Sequence, residues 1–180
     1  MGLFAYSLSI RRTPEMDWKN LKPRLEMFLY GKDAAVTDLS QDLSGYGMVT
    51  FYPDTGAVMP NLAERISKMT GDYVVITQIV DSDFCLVQLY YNGQQLEESY
   101  IGRIYLEIWL QHRVRKPRMS LWLPLLKEGG DRMQFKKALR GSSVFVEDQL
   151  TTLSKLTGLP ILDDTLLETA PEFKIMPLIF

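Results

Sequence analysis

Residues 72–101 constrain the fold of this chain more than any other stretch, reading DYVVITQIV, DSD, FCLVQLYY, the dipeptide Asn92-Gly93 and QQLEESYI in succession. Two runs rich in β-branched and aromatic residues are bounded by turn formers. Asn-Gly after the second run is a strong short-range signal for a type I′ hairpin. The expectation is a three-stranded antiparallel meander. From Tyr73 to Val80 both parities are largely apolar, which is how a strand covered on both faces reads, so this strand should be central. Phe84 to Tyr91 is similar. Gln94, Gln95, Glu97, Glu98 and Ser99 make the third strand polar, which suits an edge where charge discourages pairing with other chains. Asp81-Ser82-Asp83 fits the first connection, because Asp and Ser side chains satisfy turn amides locally.

A chain of 180 residues is expected to form one domain over 1–180, burying about 70 per cent of the surface its unfolded form exposes. Its hydrophobic fraction of 46% and charged fraction of 23% are those of a soluble globular protein. A net charge of -2 supplies no long-range pull toward nucleic acid or an anionic membrane. The lone cysteine, Cys85, lies inside a predicted strand and suits a reducing compartment. No signal-peptide pattern opens the chain, and no apolar run of about 18 residues occurs. The opening Met1-Gly2 lacks the Ser or Thr at position 6 that myristoylation favours, Tyr6 standing there. These features together predict a cytoplasmic protein.

In chain order, Leu3 to Ile10 alternates a bulkier face with a smaller one, as a half-buried strand does. Thr13-Pro14-Glu15 reads as a helix start, followed by Trp18, Leu21, Leu25, Phe28 and Leu29 at helical spacing, with Pro23 expected to kink or split the helix. Residues 31–47, punctuated by Gly31, Gly45 and Gly47, read as a loop, and Met48 to Tyr52 as a short strand. Asn61 and Glu64 resemble a capping box ahead of a Leu62, Ile66, Met69 stripe that ends at Gly71. After Gly102 the pattern fits either strand or helix, and the 103–126 stretch leans to helix. Asp131 should cap a helix through Met133, Phe135, Lys136 and Leu139 to Gly141. Ser142 or Ser143 should cap a second one, carrying Val146, Leu150, Leu153 and Leu156 and stopped by Gly158-Leu159-Pro160. A short helix near Thr165 to Glu168 and a docked apolar C-terminus, Phe173 to Phe180, complete the reading. The fold class is α+β, an antiparallel sheet with a central meander over about 73–101 and helices packed against it.

Chemical signals are sparse. Asp81 and Asp83 could offer a divalent cation two carboxylates, but no third ligand comes at fixed spacing, and turn formation explains both. Glu97 and Glu98 point to opposite sides of a strand and read as a solvated edge. His112 is the only histidine, and no nucleophile is tied to it by a motif. Cys85 reads as a small buried hydrophobe. The basic run Arg113, Arg115, Lys116 and Arg118, flanked by Trp109 and Trp122, is the best hint of an interaction. Guanidinium groups beside aromatics suit phosphate contact with stacking, and equally an acidic protein surface. No glycine-rich phosphate loop, nucleophile elbow or CxxC pair occurs. Neither a cofactor nor a bound metal is implied.

The stretches GDYVVITQIVDSDFCLVQLYYNGQQLEESYIG and VFVEDQLTTLSKLTGLPI resemble a pattern in uncharacterised bacterial α+β proteins: strand, Asp-Ser-Asp, strand, Asn-Gly hairpin, then a helix ending Leu-Gly-Leu-Pro-like. Some proteins of that appearance are suspected immunity or toxin-neutralising factors. The resemblance therefore implies stoichiometric binding of a protein partner and carries no functional residue. The residues themselves leave three readings in order. First is a protein-binding module using Glu97 and Glu98 or the 113–118 loop. Second is a metal-dependent enzyme or nucleotide-processing domain using Asp81 and Asp83, and third is weak nucleic-acid binding through the basic loop.

Overall fold

A computed structural model describes residues 5–12, 17–31, 34–38, 43–50, 58–103 and 115–162. Among them the chain runs β1 (Ala5–Arg11), α1 (Trp18–Leu29), β2 (Ala34–Asp38), β3 (Gly45–Thr50), α2 (Met59–Thr70), β4 (Tyr73–Val80), β5 (Phe84–Tyr91) and β6 (Gln94–Gly102). Three helices follow, α3 (Met119–Trp122) with a 3-10 turn at Leu123–Leu125, then α4 (Arg132–Arg140) and α5 (Val146–Thr157). The six strands form one antiparallel sheet in the order β2-β3-β1-β4-β5-β6. The protein is α+β, and the meander β4-β5-β6 lies where the residue pattern placed it.

The two-sided apolar pattern of β4 has a direct structural counterpart, because a separate core covers each face of the sheet. Val74 and Ile76 join Leu8, Ile10 and Met48 under α1 and α2, which contribute Trp18, Leu21, Leu25, Met59, Ala63 and Ile66. Val75 and Ile79 join Cys85, Val87, Leu89 and Ile101 under the C-terminal helices, which contribute Trp122, Phe135, Leu139, Val146, Leu150 and Leu153. A sheet buried on both faces needs strands apolar on both parities, and β4 and β5 supply them.

Both hairpins of the meander turn through positive φ. Asn92 and Gly93 stand at φ 48 and 78, as a type I′ turn requires. The first connection does the same with Asp81 and Ser82 at φ 50 and 59, closed by the Asp83 N–H donating to the Val80 carbonyl at 3.2 Å.

Several expectations change. The first strand is buried on both faces rather than half-buried. Leu8 and Ile10 enter one core, while Ser7 and Ser9, almost fully covered, donate their hydroxyls to the carbonyls of Ile161 (3.1 Å) and Pro160 (2.6 Å). Small hydroxyl residues here accept close packing of backbone, so the face that reads in sequence as merely the smaller one is covered as well. Residues 31–47 are not one loop: β2 and the start of β3 lie within them. Gly45 sits where an added Cβ would lie 2.2 Å from the Ile10 carbonyl oxygen, so the glycine that looked like a loop signal permits close strand pairing.

α1 continues unbroken through Pro23, with Trp18, Leu21, Leu25 and Leu29 buried and Phe28 partly exposed. The Thr13-Pro14-Glu15 start lies outside the described residues. Pro60 occupies the first turn of α2, so Asn61 is not its cap, and the buried face is Met59, Ala63 and Ile66 while Met69 is exposed. Gly71 ends the helix at φ 64. Asp131 caps α4 as expected, accepting from Met133 N (2.8 Å) and Gln134 N (3.0 Å). Neither Ser142 nor Ser143 caps α5, whose N-cap is Phe145; the Val146 N–H donates instead to Ser82 O at 2.8 Å. Gly158 stops that helix at φ 72. Of 103–126, residues 104–114 lie outside the described residues. Residues 115–118 are irregular, and a single helical turn begins only at Met119. The predicted helix near 165–168 and the C-terminal run lie outside the described residues.

Candidate functional site

Every described member of the basic run lies beside β6, at the edge of the sheet. Pairing of β5 with β6 holds simple register from Tyr91↔Gln94 to Tyr90↔Gln95, then slips by one residue so that Leu89 faces Glu97. Such a bulge moves every later side chain to the other face. Glu97 therefore shares the face of Leu89 and Val87 and is buried, while Ile101 enters the core. Glu98, one residue on, faces the other way, accepts from Gln88 Nε2 at 2.9 Å and stays exposed.

A buried carboxylate needs donors, and the segment after the basic run brings them. Arg118 N lies 3.1 Å from both Glu97 oxygens, Arg118 Nε donates to Oε1 at 2.8 Å, and the buried Trp122 Nε1 donates to Oε2 at 2.7 Å. Arg118 Nη2 also reaches the Leu96 carbonyl at 3.1 Å. Further along, Tyr100 N donates to the Arg115 carbonyl at 2.9 Å and Lys116 Nζ to the Gly102 carbonyl at 2.7 Å. Residues 115–118 are thus stitched along the outer side of β6. Burial holds the Lys116 amine below its ordinary pKa, with Cys85 opposing it and Arg140 on α4, the smallest of the three influences, adding to it.

Between β6 and this segment an open groove of about 860 Å³ is lined by Gln95, Leu96, Glu98, Tyr100 and Arg115 together with the clasp residues Glu97, Lys116 and Arg118. Both signs of charge meet in it. The Tyr100 hydroxyl is held above its ordinary pKa, by burial first and by the Glu98 carboxylate second.

The structure thus sorts the residues singled out from the sequence. Glu97 is not on a solvated edge; it anchors a clasp whose cation is Arg118. Trp122 is fully buried and is unable to stack on a ligand. Lys116 is half-committed to a carbonyl. Arg115 and Glu98 remain exposed and share the groove. Trp109, His112 and Arg113 lie outside the described residues. Sequence reasoning missed Gln95 and Tyr100 as groove residues, because both fell on a strand read only as an edge.

The other candidates have structural partners. Ser82, between Asp81 and Asp83, donates its hydroxyl to Glu147 on α5, and the Asp83 carbonyl accepts from Arg103 N at 2.8 Å. The turn is a docking point between the meander and α5. Among the described residues no group of three or more His, Cys, Asp or Glu side chains could hold a metal, and no helix is long and apolar enough to cross a membrane. Cys85 is fully buried and its thiol is raised far above the ordinary range, chiefly by that burial. Comparison of the chain with protein-family models, curated proteins and solved structures finds no match.

Proposed function

We propose that this protein is a cytoplasmic protein-binding module that acts by stoichiometric capture of a partner, in the manner of an immunity-type inhibitor, through the β6 groove. The observation that supports this most is the groove's construction. The Glu97–Arg118–Trp122 clasp fixes the 115–118 segment beside an edge strand, leaving Glu98, Gln95, Tyr100 and Arg115 presented from a rigid frame. A preformed polar surface avoids much of the ordering cost of association. Charges of both signs give register and discriminate between partners rather than attracting any polyanion. Small-molecule sites are by contrast mostly apolar and enclosed. The single buried thiol suits a reducing compartment.

The test is capture from host lysate by the wild type and by the double variant Glu98→Lys, Arg115→Glu. Both residues are exposed, so the variant should fold. One protein recovered at one-to-one stoichiometry by the wild type and lost in the variant is the expected outcome. Undiminished capture by the variant, or recovery of nucleic acid alone, would defeat the reading.

A further inference from the structure

Helix α4 presents a second surface that the groove does not use. Arg132, Lys136 and Arg140 follow one another at i, i+4 and i+8, with Lys137 and the exposed Met133 (74%) beside them; its opposite face, Phe135, Ala138 and Leu139, is buried. No acidic residue occurs within the helix. Like charges at i, i+4 repel, and such a repulsion occurs here twice in succession. Arg132 stands in the first turn, where the helix dipole disfavours a cation, while Lys137 and Arg140 stand in the last turn, where it favours one. Among the described residues, none of these four cations has an ion pair. The dipole accounts for Lys137 and Arg140 but not for Arg132 or Lys136, and a chain of net charge -2 has no general excess of cations to scatter there.

We propose that the Arg132–Lys136–Arg140 face of α4 is a docking surface for an acidic protein segment that carries apolar side chains. The cations supply charge complementarity, and Met133 within the stripe supplies an adaptable apolar contact. A phosphate backbone would satisfy the cations and leave Met133 in contact with nothing apolar, so the mixed character of the face favours a protein segment over nucleic acid. This surface stands on observations separate from the β6 groove and does not require it.

The probe is a short fluorescein-labelled peptide of Glu-Glu-Leu repeats, followed by fluorescence anisotropy, with a single-stranded DNA of equal charge beside it. The peptide should bind the full chain at low salt, more tightly than the DNA, and weaken as salt is raised. Lys136→Glu should weaken it about tenfold, as reversal of a central charge in a complementary patch does, whereas the same reversal at the exposed Lys19 of α1 should leave it unchanged. Thermal melting separates a docking role from a structural one: Lys136→Glu places an acid between two cations and should melt no lower than the wild type. Absence of peptide binding, tighter binding of the DNA, indifference to Lys136→Glu, or a lower melting temperature in that variant would each overturn the proposal.

Discussion

Glu97 takes hydrogen bonds from three donors, two on Arg118 and one on Trp122, and its two partners differ sharply in environment. Trp122 is fully buried, whereas the Arg118 side chain is 63% exposed. Removing the carboxylate leaves a buried indole N–H without a partner, so Glu97→Ala should cost about 2–3 kcal/mol, a fall in melting temperature of roughly 5–10 °C for a chain of this size. Arg118→Ala removes an exposed partner and should cost about 1 kcal/mol or less. Comparable losses in the two variants, measured by denaturant unfolding, would refute the clasp. Cys85 makes a second residue-scale prediction. Its thiol is held protonated by burial, so the native protein should resist alkylation near pH 8 and react only when unfolded. That burial was legible in the sequence, since Cys85 falls mid-strand in FCLVQLYY. The role of Glu97 was not, because a one-residue slip after Gln95 decides which of two adjacent glutamates enters the core, and neither spacing nor composition marks where a bulge will fall.

At the scale of elements, the signals that read true were those whose chemistry is local. Asn92-Gly93 needs only its own positive φ, and Asp131 caps α4 with its own side chain. The signals that misled were those whose meaning is set across the sheet. Gly45 looks like loop punctuation until β1 is placed against it. There an added methyl would collide with the Ile10 carbonyl, so Gly45→Ala should disrupt the β1–β3 pairing and cost at least about 3 kcal/mol, the upper end for overpacking. Gly93→Ala adds a strained φ of 78 to a contact 2.9 Å from Lys68 Cβ, and should cost about 1–3 kcal/mol. Calorimetric melting of the two variants checks both, and a neutral Gly45→Ala would mean that β3 does not approach β1 as described. β2 escaped notice for a related reason: AAVTD has modest strand propensity by itself, and it joins the sheet by pairing with β3.

For the molecule as a whole, one sheet between two helical layers was visible in outline from the two-sided apolar pattern of Tyr73–Val80, although not which helices cover which face. Burial also sets its behaviour in alkali. Cys85, Tyr73, Tyr90 and Tyr100 all have folded pKa values raised above ordinary values of 9.0 for the thiol and 10.0 for the phenols, burial being the largest cause in each. The unfolded chain loses these protons at lower pH than the native one. The stability they contribute is fully present below about pH 9 and is lost as pH rises beyond it. Lys116, lowered by burial, works in the opposite sense but is a single group against four. Urea unfolding should therefore show a midpoint that declines from about pH 9 upward, with the decline delayed in Cys85→Ala relative to that variant's own neutral value.

The central claim is that the groove between β6 and residues 115–118 is where a protein partner is held. Hydrogen–deuterium exchange of the free protein and of the captured complex tests it most directly. Protection on binding should concentrate in the amides of 94–102 and 115–118, with the α1 and α2 side of the sheet unchanged. Protection confined to α1, α2 or the β2 edge, with β6 exchanging as in the free protein, would contradict the account.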